Sequence, residues 1–382
     1  MRAKTKLNRI MLCAMVVLTL LQFVWTEELG ADKASEFQPV DPDRIPEILT
    51  MISNRTKSNC EQIKSWQGKA DVITDYIYEG DRADKIFKTS TDGKGEVPSK
   101  IREHRETIIE FSLDAEKEFL YANYHSYSAK PQYTDFESGR DLGAKGILGR
   151  RTAIITPEYQ LDCMGDTMRD GVVMSRRAVK QARPKNTSKC GGHPVYDPRI
   201  SLSIGGQIWE FSPRLLEYIK EHGKYSVGRF DLQVEERKTG DTNDYRIIMP
   251  SMMQGDGNYL FHEWVFSGDK GFNVVSFETT YHNEKDSSNI TFKREILEYE
   301  RFDNVYVPYH KLEQTFDIPS GKLDNEKKLV FKNQKINQPI PEETFTYMNL
   351  GLKDQDKLID KILDKEYTYQ NGQLIEVQKK SK

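Results

Sequence analysis

Along the second half of the chain, apolar and polar residues alternate with a period of two. From Phe230 to Glu235 every second residue is apolar and its neighbours are polar. This pattern places apolar side chains on one face of a β-strand and polar side chains on the other. The same alternation, interrupted by polar turn sequences, predicts strands at 272–281, 290–300, 305–316 and 328–333. Sequential strands with short connections predict an antiparallel meander.

One predicted strand, 259–266, is apolar on both faces. Its apolar residues are Leu260, Trp264 and Phe266 on one face and Tyr259, Phe261 and Val265 on the other. A strand of this kind is covered on both sides, and in a curved sheet the cover is a helix or a bound apolar ligand. The candidate cavity residues are Phe261, Trp264, Phe266, Val275 and Phe277. Aromatic residues on strands more often pack in the core, so cavity and core stay open as alternatives.

The first half of the chain begins with a helical pattern and then changes to strands. Apolar residues at helical spacing from Ile45 to Ile63 predict an amphipathic helix, which either caps the core or forms a lid over a ligand cavity. From Trp66 onward the period is two, and 107–113 with 119–127 predicts a hairpin. A second helix is predicted from Ser212-Pro213 to Gly223, because Ser and Pro favour helix starts and Gly favours helix ends.

The segment 129–198 does not follow either pattern. Its first part, 129–170, is rich in Gly, Arg and Asp and contains one short apolar run at 153–156, and 182–198 is a second loop-like stretch. We expect a long functional or flexible insertion here.

The N-terminus has the layout of an export signal. Four basic residues precede a mostly apolar run from Ile10 to Trp25, which is short for a membrane-spanning helix of roughly 20 residues. We expect 1–30 to act as a signal peptide or as an uncleaved anchor. The chain is then exported, and lies in the periplasm or on the outer side of the cytoplasmic membrane.

Charge and cysteine content narrow the function further. The formal net charge is −3, from 56 basic and 59 acidic residues, and this balance disfavours nucleic acid as a partner. Beyond the leader the cysteines are Cys60, Cys163 and Cys190. Cys163 and Cys190 are the predicted disulfide, because both lie in polar, loop-like surroundings, and three reduced thiols are the alternative.

Motifs of the common enzyme classes are missing from the sequence. It contains no G-x-S-x-G, no G-x-x-x-x-G-K and no dinucleotide fingerprint, and no cofactor or metal is predicted. His262-Glu263 starts like a zinc motif, but the second His is absent and the segment alternates as a strand. The acidic residues Asp354, Asp356 and Asp360 lack the Gly and Glu of a calcium loop and predict a solvated helix face.

A loop with Cys190 and His193 leaves one catalytic alternative open. An imidazole near a thiol can accept its proton and activate the sulfur, as in a secreted hydrolase. A disulfide beside a loop histidine explains the same residues. A membrane-anchored sensor or scaffold domain is the third alternative.

Two segments resemble bacterial lipoprotein-carrier proteins of the LolA and LolB type and their outer-membrane sorting relatives. The first is Ile63-Lys64-Ser65-Trp66-Gln67-Gly68-Lys69-Ala70, and the second is 336–341 with Phe345 and 351–360. The order of elements, from signal and helix through meander to inserted helix, is similar as well. This chain is longer than such carriers, chiefly through 129–198.

The resemblance implies an α+β fold with a strongly curved antiparallel sheet, an incomplete β-barrel, whose concave face is covered by helices. It implies a polar spacer at 31–42 and a single domain at 43–382 that includes the insertion. It further implies a non-enzymatic envelope protein that binds a lipid or an acylated protein at the envelope membrane. An apolar cavity suffices for such binding, because each buried methylene contributes about 0.8 kcal/mol.

Overall fold

A computed structural model of the chain describes residues 36–93, 95–125, 132–143, 148–169, 172–173, 177–183, 208–252, 258–285 and 287–378. The predicted leader and the loop with Cys190 and His193 lie outside these residues, so the disulfide and the thiol–imidazole pair stay predictions. None of the helices in the described ranges combines the length and the hydropathy needed to span a membrane.

The described residues form three α-helices, α1 at Ile45–Glu61, α2 at Gly80–Ser90 and α3 at Ile208–His222. The strands of the first half are β1 Gln38–Pro39, β2 Ser65–Glu79, β3 Lys100–Asp114, β4 Phe119–His125, β5 Gln132–Asp135, β6 Leu148–Ile155, β7 Tyr159–Arg169, β8 Val172–Val173 and β9 Arg177–Ala182. Those that follow α3 are β10 Ser226–Val227, β11 Phe230–Asp231, β12 Gln233–Thr239, β13 Thr242–Met252, β14 Tyr259–Ser267, β15 Asn273–Asn283, β16 Ser288–Phe302, β17 Val305–Phe316, β18 Leu323–Ile336, β19 Lys357–Asp360, β20 Lys365–Gln370 and β21 Gln373–Glu376.

All of these strands except β10 and β11 belong to one curved sheet that does not close into a barrel. Its first part runs in the order β1, β12 to β18, β2 and β3, so the chain returns from β18 to pair with β2. It continues through β4, β6, β7, β9 and β19 to β20 and β21. Every described pairing is antiparallel except that of β9 with β19. The predicted α+β fold with a curved, unclosed sheet is therefore confirmed.

Helices α1 and α3 cover the concave face of this sheet. The buried face of α1 presents Ile48, Leu49 and Ile52, and that of α3 presents Leu215 and Ile219. These side chains belong to one core with inward-facing residues from β12 round to β6. One pair of helices can meet so many strands only if the sheet curves around them.

Gly68 shows how the sequence shapes this core. It lies opposite Phe111 in the β2–β3 pair, and a Cβ at this position would come within 3.2 Å of the Phe111 ring. The missing side chain leaves room for Phe111 to approach Trp66, with 5.8 Å between ring centroids. Phe331 lies at the same distance from Trp66, so three rings fill the core beside α1.

A second core lies farther along the sheet, toward β21. It contains Ile154 and Leu161 from β6 and β7 and Leu358 from β19, covered by Phe345 and Leu350 from two short 3-10 helices, Glu342–Phe345 and Tyr347–Leu350. Cys163 is buried in this core.

Three local expectations differ from the structure. The range 129–198, predicted as a long functional or flexible insertion, contributes β5, β6, β7, β8 and β9 to the sheet. These strands were not recognised in the sequence because Gly, Arg and Asp interrupt their alternation. Helix α3 begins at Ile208 rather than at Ser212. The acidic residues Asp356 and Asp360 do not lie on a solvated helix face. Both are buried, and Asp360 ends strand β19.

Candidate functional site: the concave face of the sheet

The concave face changes from apolar to charged along its strands. Under α1 and α3 the inward side chains are apolar, and farther along the same strands they become polar. On β16, for example, Tyr299 and Leu297 belong to the core, whereas Glu295 and Lys293 continue the same inward row. Such a face is suited to a molecule with an apolar part and a charged part.

Three of the five predicted cavity residues lie in the apolar part. Trp264, Phe266 and Phe277 are all buried in the core. The rings of Trp264 and Phe277 face each other across the β14–β15 pair, with centroids 5.3 Å apart. The described structure therefore brings these three together beside the helices.

The other two predicted residues are placed differently. Phe261 is half-buried and packs edge-on against Phe230, with ring centroids 4.9 Å apart. Phe261 and Trp264 are three residues apart on one strand, and successive side chains alternate between faces, so Phe261 lies on the opposite face of β14. Val275 falls at a register shift opposite Val265 and Phe266, and it contacts the edge of the core.

We use the name charged band for five side chains on β16, β17 and β18 that border the core, namely Lys293, Glu295, Lys311, Glu313 and Lys327. Lys293 Nζ lies 2.5 Å from Glu295 Oε1, and Lys311 Nζ lies 2.9 Å from Glu295 Oε2. Lys311 Nζ also lies 2.7 Å from Glu313 Oε1, and Lys327 Nζ lies 3.5 Å from Glu313 Oε2. The signs alternate along the band, and Glu295 and Lys311 are buried.

The charged band stays ionised because its members compensate one another. Burial acts to lower the pKa of Lys311, but the carboxylates of Glu295 and Glu313 raise it above its ordinary value. Burial acts to raise the pKa of Glu313, but Lys311 and Lys327 hold it below its ordinary value. Lys293 and Lys327, at the two ends, are the more exposed lysines.

A histidine extends this polar row onto β14. His262 Nε2 lies 3.0 Å from the Ser251 hydroxyl, and Nδ1 lies 3.3 Å from the Thr279 hydroxyl. Burial lowers the pKa of His262, and the ammonium of Lys293 lowers it further. A serine beside an imidazole is one part of a hydrolytic triad, but the second nitrogen here contacts a hydroxyl where a triad has a carboxylate.

Beyond the band, β2 and β3 add a further polar group to the same inward row. The hydroxyl of Tyr78 donates to Glu103 Oε2 at 2.7 Å, and Arg105 pairs with the other oxygen of this buried carboxylate. Burial and the hydrogen bond to Glu103 raise the pKa of Tyr78 above its ordinary value. The polar border of the concave face thus extends from β13 to β3.

Sequence reasoning missed the charged band, although its signal was present. Lys293 and Glu295 alternate in phase with Leu297 and Tyr299, which places all four on the face that enters the core. Within the described residues no three His, Cys, Asp or Glu side chains come together in a way that could hold a metal ion.

The fold and this face define an α+β protein with a curved sheet, two helices on its concave face and a charged border. No protein-family model and no curated protein matches the sequence. A crystal structure of a DUF1329 family protein from Desulfovibrio piger is similar over 81% of this chain and 100% of that chain, with 7% identity and a TM-score of 0.32. A similarity of this size assigns neither a family nor a function.

Proposed function

We propose that this chain is a non-enzymatic envelope protein that binds the acyl chain of a lipid or of an acylated protein. The acyl chain lies between the concave face of the sheet and helix α3, and the polar head of the ligand meets the charged band. The observation that carries this proposal is the change from apolar to charged side chains along single strands, which matches the two parts of an acylated ligand. The resemblance to carriers of the LolA and LolB type supports the same function.

Helix α3 is the element that gives way to the acyl chain. Helix α1 is tied to the sheet by Asn59, whose side chain donates to the carbonyl of Tyr306 at 2.8 Å and accepts from its amide at 2.8 Å. The described side chains of α3 contact the core through Leu215, Leu216 and Ile219. Apolar contacts of this kind exchange readily for contacts with an acyl chain, since each methylene buried contributes about 0.8 kcal/mol.

Binding is tested with the full chain purified from its own envelope, by native mass spectrometry and by titration with a fluorescent fatty acid. We expect a bound species with the mass of an acylated molecule, and saturable binding of the fatty acid. A clean apo mass together with no binding of the fatty acid contradicts the proposal. Release of a free fatty acid from an added acyl ester, dependent on Ser251 or Cys190, indicates a hydrolase and also contradicts it.

Adjacent lysines on β18 provide a matched pair for the head of the ligand. Lys327 lies in the charged band, whereas Lys328 lies on the opposite face, where it pairs with Glu326 at 2.7 Å. Lys327→Glu is expected to weaken palmitate binding about tenfold, the size of one lost charged hydrogen bond, and to leave a fatty alcohol unaffected. Lys328→Glu is expected to change neither. Equal effects of the two variants contradict a role for the charged band.

A further inference from the structure

We infer that the turn between β19 and β20 is a membrane-docking tip that inserts into a lipid surface with anionic headgroups. The tip is residues 361–364, and it carries two neighbouring apolar residues, Ile362 and Leu363. Their exposed fractions are 48% and 57%. Tight turns ordinarily carry Gly, Asn, Asp, Ser or Pro, so two large apolar side chains at a turn indicate an interaction surface.

The tip is held in one conformation by the chain beneath it. Asp360 Oδ1 accepts from the amides of Ile362 at 2.9 Å and Leu363 at 3.0 Å. Asp360 is buried and pairs with Lys180 Nζ at 3.2 Å, and the amide of Lys361 donates to the carbonyl of Lys180 at 2.9 Å. The apolar side chains are therefore presented to the outside at little conformational cost when they bind.

A third exposed apolar residue lies at the same end of the hairpin. The amide of Val377 donates to the carbonyl of Glu366 at 2.8 Å, and Glu366 pairs with Ile359 just before the tip. Val377 is exposed. The apolar surface thus extends from the tip onto the strand ends beside it.

The charge around the tip identifies the partner as an anionic lipid surface. Lys361 and Lys365 flank the two apolar residues, and Lys365 also pairs with Glu376 at 2.7 Å. The sequence after β21 adds Lys379, Lys380 and Lys382. Between positions 361 and 382 there are five lysines and three acidic residues, whereas the whole chain has a net charge of −3. An apolar tip with lysines around it inserts its apolar side chains while the ammonium groups remain among anionic headgroups.

Docking is measured by sedimentation of the full chain with vesicles of phosphatidylcholine alone or mixed in equal parts with phosphatidylglycerol. Ile362→Ser with Leu363→Ser is expected to weaken binding at least about tenfold, because two apolar side chains no longer leave water. Lys361→Gln is expected to weaken binding to the mixed vesicles about fivefold and to leave binding to phosphatidylcholine unchanged. Both variants should bind a fatty acid in solution like the original chain, which separates this inference from the proposed acyl site.

Insertion itself is measured by the fluorescence of a tryptophan placed in the tip. This signal reports the tip alone, even if other parts of the chain also bind the vesicles. The extra emission of Leu363→Trp, relative to the original chain, should shift to the blue and be quenched by brominated phospholipid vesicles. Met252→Trp is the matched control, since Met252 is 60% exposed at the end of β13, and its extra emission should stay unquenched. An unshifted tip signal on vesicle-bound protein overturns the inference. A blue shift that occurs without vesicles and increases with protein concentration also overturns the inference, because it indicates that the tip binds a second copy of the chain.

Discussion

Single buried polar residues fix helix α1 to the sheet and set the character of the concave face. Asn59 fixes helix α1, because its side-chain amide hydrogen-bonds both the carbonyl and the amide of Tyr306 at the start of β17. His262 contributes to the character of the concave face, because it places a neutral ring between the core and the charged band. Both residues have measurable consequences.

Asn59→Ala is expected to destabilise the protein by about 2–4 kcal/mol, because it leaves the part-buried amide and carbonyl of Tyr306 without their side-chain partner. Denaturant unfolding measures the difference. Ser58→Ala, at the neighbouring exposed position of α1, is the control and should change stability by less than about 0.5 kcal/mol. A loss of the same size in both variants contradicts the assigned role of Asn59.

His262 predicts a specific dependence of stability on pH. Its pKa is lowered in the folded state, so on acidification the unfolded chain takes up a proton first. Stability is complete above the ordinary pKa of histidine, about 6.5, and falls as the pH drops from there toward the folded pKa. His104 is expected to act in the opposite direction, because the carboxylates of Asp75 and Glu106 raise its pKa against the effect of burial.

The comparison that isolates His262 is the change in unfolding free energy between about pH 8 and about pH 5, each about one and a half units from the ordinary pKa of histidine. His262→Gln should lose less stability on acidification than the original chain does. Identical pH profiles for the two proteins contradict the prediction.

Neighbouring strands form the charged band by stacking alternate residues in register. Lys311 on β17 lies between Glu295 on β16 and Glu313 on its own strand, and the pairing of β17 with β18 brings Lys327 to the same row. The band is therefore a property of three strands together. Removing one member changes the environment of the others.

Lys311→Met is expected to destabilise the protein by about 3–5 kcal/mol, because it leaves buried Glu295 without its main cation. The double variant Glu295→Gln with Lys311→Met should recover part of this loss, since no unpaired charge is then buried at the pair. Thermal or denaturant unfolding of both variants measures the coupling. Additive losses in the double variant contradict a coupled pair.

Much of the sheet was predictable because a half-buried strand shows its period in the sequence. Predicted strand 305–316 matches β17, 290–300 lies within β16, and 272–281 begins one residue before β15. The strands β6, β7 and β9 were missed, since Gly, Arg and Asp interrupt their alternation and the partner β19 lies far away in sequence. Helix α2 was missed as well, because its buried face rests on only Ala83 and Phe87.

The candidate site was predictable only in its apolar half. Trp264, Phe266 and Phe277 were identified from strand periodicity, but their common neighbours on α1 and α3 come from the fold. The charged band was missed because a lone Lys or Glu on a strand usually faces water. The phase of β16 in the sequence indicates the inward side of Lys293 and Glu295, but the meeting of the three strands' charges in one row becomes clear only from their register.

At the scale of the whole molecule, the curved sheet carries two separate cores. The core under α1 and α3 borders the charged band. The second core supports the three strands β19 to β21 and the exposed tip between β19 and β20. We propose a ligand site for the first and a membrane-docking surface for the second.

The most direct test of the acyl site is photo-crosslinking with a fatty acid that carries a diazirine near its methyl end. After illumination, the modified peptides of the full chain are mapped by mass spectrometry. We expect labelling on the inward face of β14 to β17, including the surroundings of Trp264 and Leu297, and on α3, with competition by unlabelled palmitate. Labelling confined to the tip at 361–364, or labelling that palmitate does not reduce, would contradict an acyl site on the concave face.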